Sequence, residues 1–376
     1  MQIPFNKPYL SGKETHYISE AVLSGKISGD GIFTKKCHQF FEQKYGFKKC
    51  LLTTSCTDAL EMCAILLDIK EGDEIIAPSY TFVSTVNAFV LRGAKIIFID
   101  SETYTPNIDT EAIEELITPK TKAIIAVHYA GIACDMDKIM ILAEKYNLYV
   151  VEDAAQAIDS FYKDKPLGSI GHLSAFSFHE TKNIIAGEGG MLVINDEKFI
   201  KRAEIIREKG TNRSAFFRGE VDKYGWLDIG SSFLPSDIIA AFLYAQLENL
   251  NTIQLRREEI WKNYYNDLQI LEQKKKLFLP IIPEYATNNA HIFYILCKDL
   301  EERTQLVQFL KEKGIMAVFH YLSLHKSSFY QSKYNGKNLP QSDYYTDCLL
   351  RLPFYYELTK EQQDFIIKNI FEFYGL

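Results

Sequence analysis

The sequence predicts an α/β protein whose large domain contains a mostly parallel, seven-stranded sheet. Seven short apolar runs lie between residues 48 and 194, and helical segments such as TDALEMCAILLDI and MDKIMILAEKYN separate several of them. Strands that are apolar on both faces are typical of parallel sheets covered by helices on both sides. In chain order, the predicted strands are KCLLTT, DEIIAP, AKIIFID, KAIIAVHY, LYVVEDA, SAFSFH and GMLVIN.

A smaller α+β domain is expected after this sheet. A long helical tract runs from about Ser236 to Leu271, and strand-like HIFYILC and GIMAVFHY follow, with the helical segment ERTQLVQFLKEK between them. A chain of 376 residues is long enough for one large and one smaller domain. We therefore predict a large domain over residues 1–245 and a C-terminal domain over residues 246–376.

Composition and charge argue against several classes of protein. The formal net charge is −7, and Lys and Arg are scattered, so the chain has no basic patch for nucleic acid. No apolar run reaches membrane-spanning length, and the N-terminal segment MQIPFNKPYLSGKE has no apolar signal core. The seven cysteines show no metal-binding spacing. We expect a cytoplasmic protein with reduced thiols, no metal site, and neither a nucleic-acid nor a membrane partner.

Groups that suit a phosphorylated aromatic ligand follow two of the predicted strands. In TTSCTDAL, Ser55 and Thr57 stand at a helix start, where free backbone N–H groups can bind phosphate. Ordinary helix capping is the alternative for both residues. In SYTFVSTVNAF, Phe82 could offer a flat face to an aromatic ring, and a core phenylalanine is the alternative.

Charged and polar groups follow two further strands. VVEDAAQA carries Asp153 at the strand end and Gln156 three residues later, and FSFHETKN places Lys182 before the GEGG turn. An aspartate there can keep a ring nitrogen protonated, and a lysine in a pocket can form a Schiff base. A helix-capping aspartate and a surface lysine are the alternatives. Together with the phosphate and stacking groups, these are the parts that a pyridoxal phosphate (PLP) site requires.

The same motifs resemble those of the DegT/StrS-type sugar-nucleotide aminotransferases, a family of fold-type I PLP enzymes. The resemblance runs nearly end to end, and the combination of VEDAAQ with FSFHETKN is its most specific part. The other matching segments are SGKISGDG at residues 24–31, SCTDALE, PSYTFVSTVNAFVLRGA, VHYAG, GEGG and HYLSLH at residues 320–325. The fold implied is that of a fold-type I transferase.

The resemblance implies a role for each residue of the strand-end motifs. Lys182 would carry the cofactor as a Schiff base and move the proton, and Asp153 would pair with the pyridine nitrogen. Gln156 would bind the phenolic oxygen of the ring, and Phe82 would stack on it. The phosphate would be held by groups at the following positions: Cys56 (backbone amide), Thr57 and Ser177.

The resemblance also implies contacts at the mouth of the pocket. The resemblance makes His320 and His325 of FHYLSLH candidate substrate contacts, and Asn183 is a further candidate. A pair of polar residues at a strand–loop junction is the alternative for the two histidines. His179 and Glu180, beside the lysine, could either tune its environment or merely pack there.

One departure from the family pattern points to a narrower branch. The family places an asparagine, which reaches the phosphate in the partner subunit, where this chain has Ser232 in DIGSSFLPSD. DIGSSFLPSD, HETKN and REKGTNRSAFFRG together are similar to the dTDP-4-amino-4,6-dideoxygalactose transaminases of enterobacterial common antigen synthesis. Such enzymes also serve O-antigen biosynthesis, and a homodimer with active sites between subunits is implied.

The implied reaction is a ping-pong transamination from L-glutamate to C4 of dTDP-4-dehydro-6-deoxy-D-glucose. A sibling enzyme giving the 4-amino gluco epimer or a 3-amino sugar remains an alternative. A sugar dehydratase of the same scaffold would have histidine at the position of Lys182, so the lysine argues against it. A non-catalytic regulator is disfavoured by the intact Lys182, Asp153 and Gln156, and a dinucleotide-binding dehydrogenase by the context of GEGGML.

Overall fold

The computed structural model describes all 376 residues, which form twelve strands and twelve α-helices. The strands are β1 (Lys49–Thr53), β2 (Glu74–Pro78), β3 (Lys95–Ile99), β4 (Thr121–Val127), β5 (Tyr149–Asp153), β6 (Phe161–Tyr162), β7 (Lys165–Pro166), β8 (Leu173–Ser177), β9 (Gly190–Ile194), β10 (Tyr294–Leu296), β11 (Val318–Phe319) and β12 (Leu349–Arg351). The helices are α1 (Glu14–Leu23), α2 (Ile32–Tyr45), α3 (Cys56–Leu66), α4 (Ser84–Val90), α5 (Met136–Tyr146), α6 (Ile200–Arg207), α7 (Arg213–Phe217), α8 (Asp237–Leu247), α9 (Leu250–Gln273), α10 (Leu300–Glu312), α11 (Pro340–Cys348) and α12 (Lys360–Phe373).

The large sheet has seven strands in the order β1-β9-β8-β5-β4-β2-β3. All pairs among β3, β2, β4, β5 and β8 are parallel, and β9 lies antiparallel between β8 and β1. Each of the seven predicted runs is one strand of this sheet, so the expected fold class is confirmed. The carboxyl ends of six strands therefore meet at one edge.

The sheet separates two hydrophobic cores. Neighbouring residues of one strand enter opposite cores: Ile124 and Val150 belong to one cluster, and Ile125 and Val151 to the other. This alternation follows from the two-residue period of a strand, and it explains why both faces of each run are apolar. Helices α2, α5 and α8 supply side chains to the first core, and α3, α4 and α6 to the second.

The C-terminal part is an α+β unit built on the antiparallel sheet β10-β12-β11. Its core contains side chains of α9, α10 and α12, and Ile3 joins it through a bridge to Ile315. The first residues of the chain therefore pack with the last hundred. Strand β10 is shorter than the run HIFYILC, and Arg257 donates to the carbonyl oxygens of Ala290 and His291 just before it.

The predicted tract from Ser236 to Leu271 is two helices. α8 ends before Glu248, and Asn249, whose side chain donates to Ala245 O at 3.0 Å, precedes α9. The long, amphipathic α9 connects the two parts of the molecule. None of the helices combines the length and apolarity needed to cross a membrane.

Candidate active site

The carboxyl ends of the large sheet open into a cleft of about 600 Å³. One wall is formed by residues after β1, β2, β5 and β8, and the other by the small domain, with His291, His320, Tyr321 and Arg351. The lining includes eight residues predicted from the motifs, which are Cys56, Thr57, Phe82, Asp153, Gln156, Ser177, Lys182 and His320. The large-domain members lie far apart in sequence, and the sheet brings them to one edge.

Lys182 lies in the loop between β8 and β9, and its side chain is partly buried. Burial lowers the pKa of its amine from the ordinary 10.5 to about 8. The positive charge of Arg351 acts in the same direction, and the carboxylate of Asp153 opposes it. An amine with a pKa of about 8 is neutral in roughly one molecule in ten at pH 7, far more often than an ordinary lysine, and the neutral form is the nucleophile and the base.

Asp153 ends β5 and is only 6% exposed. Thr85 donates a hydrogen bond from Oγ1 to Asp153 Oδ2 at 2.6 Å, and the backbone N–H of Ala155 donates to Oδ1 at 3.2 Å. Thr85 Oγ1 is also 2.9 Å from Thr81 Oγ1. The orientation of the carboxylate is therefore fixed from two sides, and the side chain lines the cleft. A turn and not a helix follows β5, so the helix-capping alternative does not apply.

Gln156 and Phe82 lie beside this carboxylate in the cleft. Gln156 accepts from the Ala130 N–H at 2.7 Å and donates to the Tyr321 hydroxyl at 3.1 Å. Phe82 is 54% exposed, so it is not a core residue, and its ring centroid lies 5.8 Å from that of Tyr321. The cleft therefore contains an accessible aromatic face, as the stacking role requires.

The N-terminus of α3 borders the cleft. Ser55 is its N-cap and accepts from the Asp58 N–H at 3.0 Å, so ordinary capping is correct for that hydroxyl. Thr57 donates to Ser84 Oγ at 2.9 Å, which places two hydroxyls together on the cleft wall. Gly190 packs so closely here that a Cβ would overlap the backbone of Ser55. Free N–H groups and paired hydroxyls suit a phosphate.

Three predicted residues are not in the cleft. Asn183 is buried and uses its amide within the protein, donating at 2.8 Å to Gln254 Oε1 and accepting at 2.8 Å from the His291 ring. His325 is buried, with its Nδ1 atom 2.7 Å from Ser79 Oγ. Neither Asn183 nor His325 lines the cleft, because both side chains are bonded inside the protein, and their substrate contact stays an untested prediction. Ser232 is exposed, outside the cleft of its own chain.

The structure shows which of the residues beside Lys182, and which small-domain histidine of FHYLSLH, line the cleft. His179 lines the cleft, with Nδ1 2.9 Å from Thr181 Oγ1, whereas Glu180 is exposed and does not line it. His320 lines the cleft, and its Nδ1 is 2.9 Å from the Tyr129 hydroxyl. Burial lowers the pKa of the His320 imidazole well below its usual value, so the ring is neutral.

Sequence reasoning missed Thr85, Tyr321 and Arg351. Thr85 lies three residues after Phe82, within the motif SYTFVSTVNAF. This short spacing from a predicted cofactor-binding residue was the signal that could have identified it. Arg351 and Tyr321 reach the cleft only because the small domain folds against the large one. No local pattern in LLRLPF indicates that contact, and the prediction from FHYLSLH named His320 but not its neighbour Tyr321.

These residues fit PLP. The cleft combines a lysine of lowered pKa, a fixed carboxylate, an accessible aromatic face and a helix N-terminus with adjacent hydroxyls. Each group has the chemistry that one part of the cofactor needs: an amine for the aldehyde, an anion for the ring nitrogen and donors for the phosphate. The constellation defines a site for amine chemistry on a carbonyl.

Comparison with known proteins agrees with this geometry. The model of the DegT/DnrJ/EryC1/StrS aminotransferase family matches residues 8–371, and the chain belongs to that family. It is 34% identical over 367 residues to the uncharacterized protein MJ1066 of Methanocaldococcus jannaschii, covering 96% of this chain and 94% of that protein. Family membership makes the protein an enzyme, an aminotransferase, and PLP is the cofactor of this class.

Solved structures show the same fold. Spr1654 of Streptococcus pneumoniae, in its pyridoxamine phosphate (PMP) form, superposes with a TM-score of 0.93 at 26% identity, covering 100% of this chain and 99% of that one. The same protein has been solved in a PLP form. The aminotransferase TlmJ of Streptoalloteichus hindustanus superposes with a TM-score of 0.91 at 26% identity, covering 100% and 99% of the two chains.

Proposed function

We propose that the enzyme transfers the amino group of L-glutamate to C4 of dTDP-4-dehydro-6-deoxy-D-glucose. The products would be dTDP-4-amino-4,6-dideoxy-D-galactose and 2-oxoglutarate. The observation that carries the transamination is the placement of the weakly basic Lys182 and the fixed Asp153 in one cleft. The choice of substrate is supported by the resemblance of DIGSSFLPSD, HETKN and REKGTNRSAFFRG to one branch of the family.

PLP, when bound, supplies an aldehyde that captures amines and a ring that withdraws electrons from the adjacent carbon. Lys182 would attach the cofactor and, once displaced, would take the proton from Cα of the donor. A pKa near 8 suits both tasks, because the amine can accept and return a proton near neutral pH. Lys182 is therefore the proposed catalytic base.

The proposed task of Asp153 is to hold a proton on the ring nitrogen of the cofactor. Its carboxylate is buried and fixed by Thr85 and Ala155, so its charge is directed to one position. A low-dielectric site strengthens such a charge-assisted hydrogen bond. Gln156, held by Ala130, would donate or accept at the phenolic oxygen of the ring.

The remaining groups would position the cofactor. Thr57, Ser177 and the backbone amide of Cys56 would hold its phosphate at the start of α3, and Phe82 would stack on the ring. His320, neutral at the cleft wall, is the proposed contact for the sugar.

We also propose that the active enzyme is a homodimer. The segment from α7 to residue 229 exposes Phe217, Trp226 and Leu227, and Trp226 is 83% exposed. Exposed apolar side chains in such a cluster mark an interaction surface. Ser232 follows this segment and is exposed, and its proposed place in the dimer is at the cleft of the second copy. The seven unpaired cysteines support a reducing compartment, which is the cytoplasm.

The product would be a building block for surface glycans, such as enterobacterial common antigen or O-antigen. A sibling activity, giving the 4-amino gluco epimer or a 3-amino sugar, is the second candidate. The shape of the pocket around the sugar decides between this activity and the proposed 4-amination in the galacto configuration.

The test is incubation of the PLP-loaded enzyme with dTDP-4-dehydro-6-deoxy-D-glucose and L-glutamate, followed by NMR of the product. An axial amine at C4 is the expected result, and Lys182→Ala should form none. An equatorial amine at C4, or an amine at C3, would replace the proposal with the sibling activity. No amino sugar from any such substrate would refute sugar amination.

A further inference from the structure

His291 is a buried histidine whose ring reaches the cleft. It lies just before β10, is 3% exposed and belongs to the small-domain wall of the cleft. Its backbone is fixed on both sides, because Arg257 donates to its carbonyl oxygen at 2.6 Å and its own N–H donates to Asn289 Oδ1 at 3.0 Å. Asn289 is tied in turn to the large domain, where its Nδ2 atom donates to the carbonyl oxygens of Gln156 and Ile158. The imidazole is therefore carried by a rigid, buried support.

The hydrogen bonds around the ring fix its tautomer. Asn183 Nδ2 donates at 2.8 Å to the backbone carbonyl of Asn289, which can only accept, so the orientation of the Asn183 amide is unambiguous. Asn183 Oδ1 therefore faces His291 Nδ1, 2.8 Å away, and Nδ1 must carry the proton. Burial, followed by the positive charges of Lys182 and Arg257, lowers the pKa of the imidazole well below its usual value, so the ring carries only that proton. The Nε2 atom is left with a free lone pair.

The Nε2 atom is an unpaired neutral acceptor beside the reacting amine. No donor of the chain bonds to it, and the ring borders the cleft. The charge of Lys182 acts on the imidazole, so the ring is near the reacting nitrogen. Two other acceptors of the cleft are in use, since Gln156 Oε1 accepts from the Ala130 N–H and both oxygens of Asp153 are bonded. Leaving a buried acceptor unpaired is costly, so this one suits a ligand that brings a donor.

The chemistry of the two proposed substrates decides which group meets this acceptor. In L-glutamate, the carbon that bears the reacting nitrogen also carries a carboxylate, a hydrogen atom and an alkyl chain, and none of these donates to a lone pair. In the keto sugar, C5 carries a methyl group and the ring oxygen, whereas C3 carries a hydroxyl. The C3 hydroxyl is therefore the only donor on a carbon next to the reacting carbonyl.

We propose that His291 Nε2 accepts a hydrogen bond from the hydroxyl next to the reacting carbonyl and thereby makes the site selective for α-hydroxy ketone sugars. The proposal rests on the proposed amination of a 4-keto sugar. It also gives Asn183 a positioning role, because the amide of Asn183 fixes the tautomer that leaves Nε2 free to accept. Loss of one neutral hydrogen bond to a ligand lowers affinity by roughly 3- to 10-fold.

Two amide variants separate this contact from a purely structural role of His291. The asparagine amide reaches the position of Nδ1, so His291→Asn can still donate to Asn183 but has no acceptor in the cleft. The glutamine amide reaches the position of Nε2, so His291→Gln presents an acceptor oxygen to the cleft but loses the bond to Asn183. A structural histidine predicts the opposite ranking of the two variants. His16→Asn is the control, because His16 is exposed on α1 and does not line the cleft.

The test is calorimetry of the PMP-loaded enzyme with two unreactive probes. One probe is dTDP-6-deoxy-D-galactose, and the other is its 3-deoxy counterpart, which lacks only the C3 hydroxyl. Wild type and His16→Asn should bind the first probe about 3- to 10-fold more tightly than the second. His291→Asn should bind both probes equally, and His291→Gln should keep part of the preference. In single turnovers with L-glutamate, PLP-loaded His291→Asn should react within about threefold of wild type, because the donor brings no hydroxyl.

Three outcomes would overturn the proposal. Equal affinity of wild type for the two probes would show that the C3 hydroxyl has no partner in the site. A preference in His291→Asn as large as that of wild type would assign the contact to another residue. Binding of neither probe by wild type would refute the proposed nucleotide-sugar function, and this proposal with it. If His291→Asn does not fold, His291→Gln decides: a retained preference supports the contact, and its complete loss contradicts it.

Discussion

The lowered pKa of Lys182 makes a quantitative prediction for the cofactor-free protein. An amine with a pKa of about 8 in the folded state and 10.5 in the unfolded chain destabilises the fold wherever the unfolded chain binds the extra proton. The cost is about 3 kcal/mol near pH 7 and falls below about 1 kcal/mol near pH 10. Stability should therefore rise with pH across the window between these two pKa values.

The assay compares the wild-type apoprotein with Lys182→Met in urea unfolding at both pH values. All other titrating groups are shared, so the difference between the two proteins isolates Lys182. We expect wild type to gain about 2.5 kcal/mol relative to Lys182→Met between about pH 7 and pH 10. Lys122→Met is the control, because Lys122 is exposed on β4 and should give no such difference.

If the difference in unfolding free energy between wild type and Lys182→Met does not change with pH, the reasoning is refuted. It would mean that the amine is as well solvated in the folded protein as in the unfolded chain. The argument for a nucleophilic, weakly basic lysine in the cleft would then fail.

Two further predictions concern the groups around the lysine. Thr85→Val removes the donor to Asp153, so it should slow turnover about 10-fold and shift the pH dependence of the cofactor absorption band. Thr85→Ser keeps the hydroxyl and should show the wild-type rate and the wild-type band. An unchanged band and rate in Thr85→Val would contradict the positioning role. Gly190→Ala places a Cβ against the backbone of Ser55 and should weaken PLP binding at least about 10-fold in a fluorescence titration. Gly225→Ala, in open space, should bind PLP normally, and equal affinity of the two variants would exclude a phosphate site at the start of α3.

The sheet was predictable because its signal is local. A run such as LYVVEDA is apolar on both faces, and burial of Val150 and Val151 in opposite cores is the direct cause. The strand-end motifs were predictable for the same reason, since parallel strands deliver their last residues to one edge. The sequence alone therefore predicted that Asp153 and Lys182 lie at the same edge of the sheet.

The contacts between the large and the small domain could not be predicted from local sequence patterns. Asn183 was expected in the cleft, but Gln254 of α9 and His291 use its amide in a buried network that spans 71 and 108 residues of sequence. His325 is likewise held by Ser79, 246 residues away. Such partners depend on how the small domain packs, and Arg351 was missed for that reason.

The most direct test of the whole account is to reduce the PLP-loaded enzyme with borohydride and map the modified peptide by mass spectrometry. The account predicts one phosphopyridoxyl group per chain, on Lys182. Modification of another lysine, or none at all, would contradict it.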